Sequence, residues 1–348
     1  MAKQVGDKDV RKLQLTGGAT YTLSLPKKWV EANSLKTSSG IQIDWRPSGA
    51  LRLTPSSGVK QQRMKIKIIY EDIPRGSIYD HLVGSYLSGA NIIEIYARDK
   101  ISRELRKTIR TFLRSTRGFE ITEESEKKVI LISLLSASEL PLRAIINRMY
   151  QQLTSIMRDV DDVLKGGDRE FLLDHEEREQ EIDAMRLLVD RQVGSLLDSY
   201  KVAEALELGR RGAVEHANIS RTLERMADHA YRISTLILAT KKLPKLNLED
   251  SPMKQIPVWN DCLRTLMINL RTHDVEDIEM ARSNLKNAQI ELDRYEEKLW
   301  GKKENANTIL FKFRLSESMR RLCAYARDFG EILLNIMTHA QLFEDNSD

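Results

Sequence analysis

Residues 222–238 read TLERMADHAYRISTLIL, and this stretch has the periodicity of an amphipathic helix. Its apolar residues recur at three- and four-residue steps, at Leu223, Met226, Ala227, Ala230, Ile233 and Ile237. On such a helix Glu224 and Asp228 lie one turn apart on the same face, where two acids repel each other. A second pair at the same spacing, Glu179 and Asp183, occurs in EQEIDAM (179–185). The sequence therefore predicts two helices, each carrying a pair of acids.

The helical region that starts near residue 138 contains two similar halves. RTLERMADHAYRISTLI (221–237) aligns with the stretch that begins at Arg320 or Arg321, and Asp228 then corresponds to Asp328, 100 residues later. EQEIDAM likewise aligns with QIELDRY (289–295), so that Asp183 corresponds to Asp293. Self-similarity at this scale predicts two tandem three-helix bundles.

The acid pairs of the first half are candidate metal ligands. If their two helices pack antiparallel, four carboxylates converge on one patch: Glu179, Asp183, Glu224 and Asp228. Four hard oxygen donors suit magnesium, manganese, calcium or iron, and less often zinc. His175 and His229 are close in sequence and are candidate nitrogen ligands. The alternative is that the acids are solvated, or that they pair with nearby arginines such as Arg178, Arg221 and Arg225.

The second half keeps only part of this pattern. Its corresponding positions are Gln289, Asp293, Ala324 and Asp328, so two carboxylates remain where four would be expected. The number of ligand charges sets the affinity for hard cations. We therefore expect any metal site at Asp293 and Asp328 to be the weaker one.

Charge is distributed unevenly along the chain. The whole chain of 348 residues carries a net charge of +4, but residues 1–55 alone hold nine Lys or Arg against four Asp or Glu. A basic excess of this kind suits an anionic partner such as nucleic acid, and the candidates for DNA contact are Arg11, Lys12, Lys27 and Lys28. A second basic stretch at about 101–117 is predicted to be a helix. Its arginine stripe is either a solvated face or a contact for DNA flanks, an acidic partner or a phosphate-bearing ligand.

Several classes of protein are disfavoured by the sequence. Only two cysteines occur, in separate stretches, which predicts neither a disulfide framework nor a zinc site. No apolar run approaches 18 residues and the first residues lack a secretory pattern, so we expect a cytoplasmic protein without membrane insertion. No nucleophile, phosphate-loop or dinucleotide-binding motif is found. We therefore expect the protein not to be an enzyme.

The remaining pattern predicts a multi-domain and mainly α-helical chain. YTLSL (21–25) and IQIDW (41–45) alternate as strands do, with a short helix opened by Pro26 between them. Residues 65–70, 91–97 and 129–135 are predicted strands with helices between them, a βαβ-like pattern. The predicted domains are a β-module at 1–55, an α/β domain at 63–137, and three-helix repeats at 138–242 and 252–343.

LERMADHAYRI, together with the duplicated helices, resembles the signature of PhoU-type phosphate-signalling proteins. The resemblance covers about residues 140–342, and proteins of that family carry an acid-x-x-x-acid motif on two helices of each repeat. It implies that Glu179, Asp183, Glu224 and Asp228 bind metal, with iron, zinc, manganese or magnesium as candidates. In the second repeat the implied ligands are reduced to Asp293 and Asp328.

VRKLQLTGGATYTLSLPKKWVEANSL, at residues 10–35, is similar to the AbrB or SpoVT-like swapped-hairpin DNA-binding domain. In that family two chains interleave their strands into one core, which implies a homodimer through the N-terminal module. Chains that join this module to a PhoU-like half resemble archaeal phosphate-uptake regulators. The implied function is a DNA-binding transcriptional regulator of phosphate uptake and homeostasis, whose partners include a phosphate transporter or signalling protein.

Two other functions remain open at this point. The first is an adaptor of phosphate-transport signalling that works by protein contact alone, with an N-terminal domain that only dimerises. The second is a carboxylate-bridged metal enzyme, which the missing Glu-x-x-His spacing disfavours.

Overall fold

The computed structural model describes residues 10–45, 49–56, 64–136, 141–301 and 303–344. Its contacts divide the chain into two units, Met1–Arg63 and Met64–Asp348. Some sequence-based expectations lie outside the described residues: the basic residues among the first nine, part of the turn at 47–49, most of the linker at 56–62, and the domain boundaries at 63 and 137–138.

The first unit consists of two β-hairpins and one short helix. β1 (Gln14–Thr16) pairs antiparallel with β2 (Thr20–Thr22), and β3 (Ile41–Trp45) pairs antiparallel with β4 (Leu51–Pro55). The first hairpin turns at Gly17 and Gly18, whose φ angles of 65° and 81° lie in the left-handed region that favours glycine. Between the hairpins lies α1 (Lys27–Ala32), which begins directly after Pro26. The order of elements is the one that the sequence predicts.

The second unit begins with a four-stranded sheet and two helices. The strands are β5 (Lys65–Ile69), β6 (Ile92–Tyr96), β7 (Phe119–Glu124) and β8 (Lys128–Ser133). They lie in the order β5-β6-β8-β7, with β5 parallel to β6 and the other pairs antiparallel. The helices α2 (Ile78–Leu87) and α3 (Arg103–Ser115) contribute Tyr86 and Phe112 to a core that they share with the sheet.

The remainder of the second unit is helical. The helices of the first repeat are α4 (Leu142–Leu164), α5 (His175–Asp198) and α7 (Arg210–Ala239), with the short α6 (Tyr200–Ala205) before the last of them. The helices of the second are α8 (Gln255–Thr272), α9 (Val275–Leu299) and α10 (Ala306–Glu344). Buried residues of both repeats form one continuous core. The prediction of a mainly helical chain with small β-hairpins at its start and helical bundles at its end is confirmed.

Helix α5 belongs to the bundle and also contacts the sheet layer. Its Leu187 is part of the core beneath the sheet. Its Arg191, which is only 6% exposed, donates hydrogen bonds to the carbonyl oxygens of Tyr86 at 2.5 Å and Ala90 at 2.7 Å. Tyr86 lies in the last turn of α2, where its carbonyl also accepts from the backbone N–H of Gly89, and Ala90 lies three residues after the helix ends. Arg191 therefore fixes the end of α2 against α5.

In the part of the chain that the structure describes, every helix is too short or too polar to cross a lipid bilayer.

Candidate metal centre

Three acids come together where α5 packs against α7. Glu179 and Asp183 are one turn apart on α5, and Asp228 lies on the facing side of α7. One carboxylate oxygen from each of the three can be chosen so that all three lie within 4.8 Å of one another. Among the described residues, this is the one group of three or more metal-type side chains with such close spacing.

Glu224, the fourth predicted ligand, lies outside this group although it shares the face of Asp228. Its Oε1 lies 3.7 Å from Nε of Arg186, and the same guanidinium donates through Nη1 to Asp190 at 2.9 Å. Arg186 follows Asp183 by three residues on α5 and therefore faces the same side. The acid pairs were evident from the sequence, but Arg186 was not identified there, although its spacing from Asp183 was a usable signal.

Each acid of the group has a raised pKa, and burial is the largest cause in every case. Burial, reinforced by Asp183, Asp228 and Glu224, raises the pKa of Glu179 to about 7. Burial together with Asp228 also raises the pKa of Asp183. Burial raises the pKa of Asp228, against the opposing effect of Arg232, Arg186 and Arg225. Burial, together with Asp228, raises the pKa of Glu224 against the opposing effect of Arg186. A bound cation would offset part of the cost of burying these charges.

The spacing of the oxygens is suitable for a single ion. Oxygen ligands bind hard divalent cations at about 2.0–2.6 Å, so two ligands on opposite sides of one ion are about 4–5 Å apart. The 4.8 Å limit of the Glu179, Asp183 and Asp228 group falls in this range. An all-carboxylate set suits magnesium, manganese or iron better than zinc, which prefers nitrogen and sulfur.

The two histidines near these acids have other contacts. His175 stacks on Tyr231 with ring centroids 4.9 Å apart, and its Nε2 lies 3.2 Å from Oγ1 of Thr235. His229 is buried and its ring lies 5.9 Å from that of Tyr325 on α10. Burial lowers the pKa of His229 to about 4, so its ring is neutral at physiological pH. Neither histidine belongs to the group of converging ligands.

The corresponding positions of the second repeat are arranged differently. Nε of Arg320 lies 2.9 Å from Oδ1 of Asp293, and Nη1 of Arg327 donates to Oε1 of Gln289 at 2.8 Å. Burial raises the pKa of Asp328. Arginines thus contact two of the positions that correspond to acids of the first repeat, and the described residues here form no converging acid group.

The candidate DNA-contact residues lie in the first unit and are all exposed. Arg11 and Lys12 precede β1, whereas Lys27 and Lys28 form the first turn of α1. Nζ of Lys27 lies 3.7 Å from Glu31, yet the side chain remains 88% exposed. The predicted basic helix is α3, which begins at the cap Ser102 and buries Leu105, Ile109 and Phe112. Arg106 of α3 pairs with Glu124, and the arginines at 103 and 110 are exposed.

Comparison with known families identifies the first helical repeat. Residues 146–237 match the family model described as "PhoU domain". The first helical repeat is therefore similar to the PhoU domain. All four predicted ligands of the first repeat lie within it. The PhoU domain match ends before α8, so the second repeat is outside the matched residues.

One solved structure with a similar fold is that of the phosphate transport system regulatory protein PhoU from Streptococcus pneumoniae. The two chains are 15% identical, and the superposition covers 57% of this chain and 94% of the other with a TM-score of 0.47. No curated protein sequence matches the chain.

Proposed function

We propose that this protein is a DNA-binding transcriptional regulator of phosphate uptake and phosphate homeostasis, with a PhoU domain that senses phosphate status. The observation that carries this proposal is the convergence of three acids inside the residues that match the PhoU domain. Within this proposal the chain acts in the cytoplasm and its protein partner is a phosphate transporter or signalling protein.

In this function the acid group holds a metal ion. Glu179, Asp183 and Asp228 would supply one oxygen each, and Glu224 would join them if Arg186 moved away. Bound ions of the magnesium, manganese, iron or zinc class would neutralise carboxylates whose pKa values are raised. The ion would thereby remove repulsion between α5 and α7, and so stabilise one packing of these helices.

A homodimer through the first unit is supported by its lack of a core. Among the described residues of this unit, Pro55 alone is buried. Large apolar side chains are exposed on both hairpins: Leu15, Tyr21, Ile43, Trp45 and Leu51. A module of this size has only a small core and is marginally stable by itself. Interleaving with a second copy, as in the swapped-hairpin family, would cover these side chains.

DNA binding is supported by the charge of the same unit. Exposed Lys and Arg side chains on a small β-module neutralise phosphates and release counterions. Lys27 and Lys28 stand at the N-terminal end of α1, where the helix dipole does not favour cations. A functional contact with an anion would explain this placement.

The alternative function is a PhoU-like adaptor that acts by protein contact without sequence-specific DNA binding. One observation favours the adaptor: the residues that match the family model lie in the helical repeat, and none of them lies in the first unit. In that case the exposed apolar residues of the first unit would serve dimerisation alone.

Binding of the full chain to duplexes from upstream of phosphate-transporter genes separates the two functions. For the regulator we expect binding that weakens steeply with salt and that is lost in Lys27→Ala/Lys28→Ala. The matched control is Lys241→Ala/Lys242→Ala, an exposed lysine pair in the second unit that should leave DNA affinity unchanged. Failure of the full-length protein to bind any such duplex in dilute buffer would favour the adaptor.

A further inference from the structure

An open cavity of about 380 Å³ lies between α7 and α10. Its polar lining consists of two arginines, three hydroxyl side chains and one carboxylate: Arg232, Arg314, Tyr231, Thr235, Ser318 and Glu317. Leu236 and Ala239 contribute an apolar part of the wall. Cavities of this volume, with apolar walls and a few polar groups, are typical of small-molecule sites.

The charge of the cavity is positive. In the described part of the chain, neither Arg232 nor Arg314 lies within salt-bridge distance of a carboxylate. Glu317 has a cationic partner of its own, since its Oε1 lies 3.8 Å from Nε of Arg321. Two guanidinium groups therefore lie beside one small space without a carboxylate in salt-bridge contact, although the charge of Arg232 also acts on Asp228.

The cavity adjoins the metal centre along α7. Arg232 follows Asp228 by one turn. On the same helix, Tyr231 stacks on His175, and Oγ1 of Thr235 lies 3.2 Å from Nε2 of that ring. His175 in turn precedes Glu179 by one turn of α5. A ligand in the cavity would thus contact Arg232, one turn from Asp228, and would reach Glu179 only indirectly, through the contacts of Tyr231 and Thr235 with His175.

We infer that this cavity binds a small phosphate-type oxyanion, held between Arg232 and Arg314 beside the metal centre. Guanidinium groups bind tetrahedral oxyanions through paired N–H donors, and hydroxyl groups such as those of Thr235 and Ser318 supply further donors. The apolar wall strengthens these contacts because it reduces competition from water. Inorganic phosphate and a small organic phosphate share this chemistry. A regulatory role of the site rests on the proposed function, in which the anion would be the signal that is sensed. Binding of the anion does not depend on that function.

The site is tested by calorimetric titration of the full-length protein, in chloride buffer of constant ionic strength. One arm uses inorganic phosphate and the other uses glycerol 3-phosphate. We expect saturable binding in at least one arm, and the tighter arm identifies the source of the phosphate group. The variant Arg232→Gln/Arg314→Gln should lower the affinity by about tenfold or more, because hydrogen bonds to charged groups are lost.

The matched control is Arg264→Gln/Arg271→Gln, which removes the same charge from two exposed positions of α8. It should keep the wild-type affinity within about twofold, and circular dichroism should show that both double variants are folded. The absence of saturable binding below about 10 mM in both arms would overturn the inference. Equal loss of affinity in the two double variants would overturn it as well.

The outcome is independent of DNA binding. Lys27→Ala/Lys28→Ala should bind the anion as the wild type does, because both lysines lie in the first unit. If the protein binds phosphate but no DNA, the anion site is supported and the proposed transcriptional role is not. If it binds DNA but no phosphate anion, the transcriptional role is supported and the anion site is not.

Discussion

Nε of Arg320 lies 2.9 Å from Oδ1 of Asp293, whereas the corresponding aspartate of the first repeat, Asp183, lies in a group of acids. Equivalent positions of the two repeats thus have opposite electrostatic surroundings. In the second repeat a guanidinium provides a positive charge next to the aspartate. In the first repeat, by contrast, the described residues place no arginine within salt-bridge distance of Asp183, and the charge of Arg186 acts on it only from farther away.

We therefore expect metal to bind in the first repeat only. Asp183→Ala/Asp228→Ala should empty the site without unfolding the bundle, and Asp293→Ala/Asp328→Ala should leave the metal content unchanged. Elemental analysis of protein purified without chelator measures both. The second variant serves as the matched control, since it removes two aspartates from the corresponding helices. Unchanged metal content in the first variant would contradict the site.

The pKa of Glu179 gives the metal-free protein a defined pH dependence. The folded protein keeps the proton of Glu179 up to about pH 7, whereas the unfolded chain releases it near the ordinary value of 4.5. Between these values the folded state binds more protons, so the free energy of unfolding falls as pH rises. In Glu179→Gln the free energy of unfolding no longer falls with pH for this reason, because glutamine does not ionise. We expect its Tm to exceed that of the wild type at pH 8 and the difference to shrink at pH 5.

Thermal unfolding in the presence of a chelator measures this effect. Adding a divalent cation at pH 8 should reverse the order, because the ionised acids of the wild type bind it and the variant has lost one ligand. If the difference in Tm between the wild type and the variant is the same at pH 5 and at pH 8, Glu179 is not buried among acids.

The exposed apolar residues of the first unit predict its state of association. Leu15 and Ile43 are 59% and 57% exposed in one chain, and a swapped dimer would bury them. Leu15→Asp/Ile43→Asp should therefore halve the mass measured by light scattering. Leu248→Asp, at a residue that is 51% exposed in the second unit, is the control and should leave the mass unchanged. A monomeric wild type would exclude the dimer.

Arg191 predicts how firmly α5 is joined to the end of α2. Arg191→Ala would leave the carbonyl of Ala90 buried without its Arg191 donor, whereas the carbonyl of Tyr86 would keep the backbone N–H of Gly89, so we expect a cost of about 1–3 kcal/mol in the free energy of unfolding. Arg110→Ala, at an exposed position of α3, should change it by less than about 0.5 kcal/mol. Urea denaturation measures the free energy of unfolding of both variants. A similarly small loss of stability in the two would show that the hydrogen bonds of Arg191 do not stabilise the fold.

Local patterns were sufficient to predict most of the elements. The period of TLERMADHAYRISTLIL predicts α7, and alternation in IQIDW predicts β3, because each pattern reflects one buried face. β7 was not predicted. It is an edge strand whose sequence FEITEE carries three glutamates, so its apolar alternation is limited to Phe119 and Ile121. An edge strand buries little, and the sequence signal is correspondingly weak.

The candidate metal centre was predicted in composition but not in detail. Spacing alone indicates that Glu224 and Asp228 share a face, and it cannot tell which of them an arginine from another helix will contact. That choice depends on the rotation of α5 against α7, which is set by the whole buried face of both helices. Arg186 and Arg320 therefore became apparent only in three dimensions.

Glu179, Asp183, Leu187 and Arg191 follow one another at four-residue steps along α5. The first two belong to the candidate metal centre, and the last two belong to the junction with the sheet layer, about 12 Å farther along the helix from Asp183. A straight helix does not bend easily over two turns. An ion that tilts the acidic end of α5 would therefore also move α2 or break the hydrogen bonds of Arg191. Metal binding at one end of α5 would in this way change the contacts at the other end.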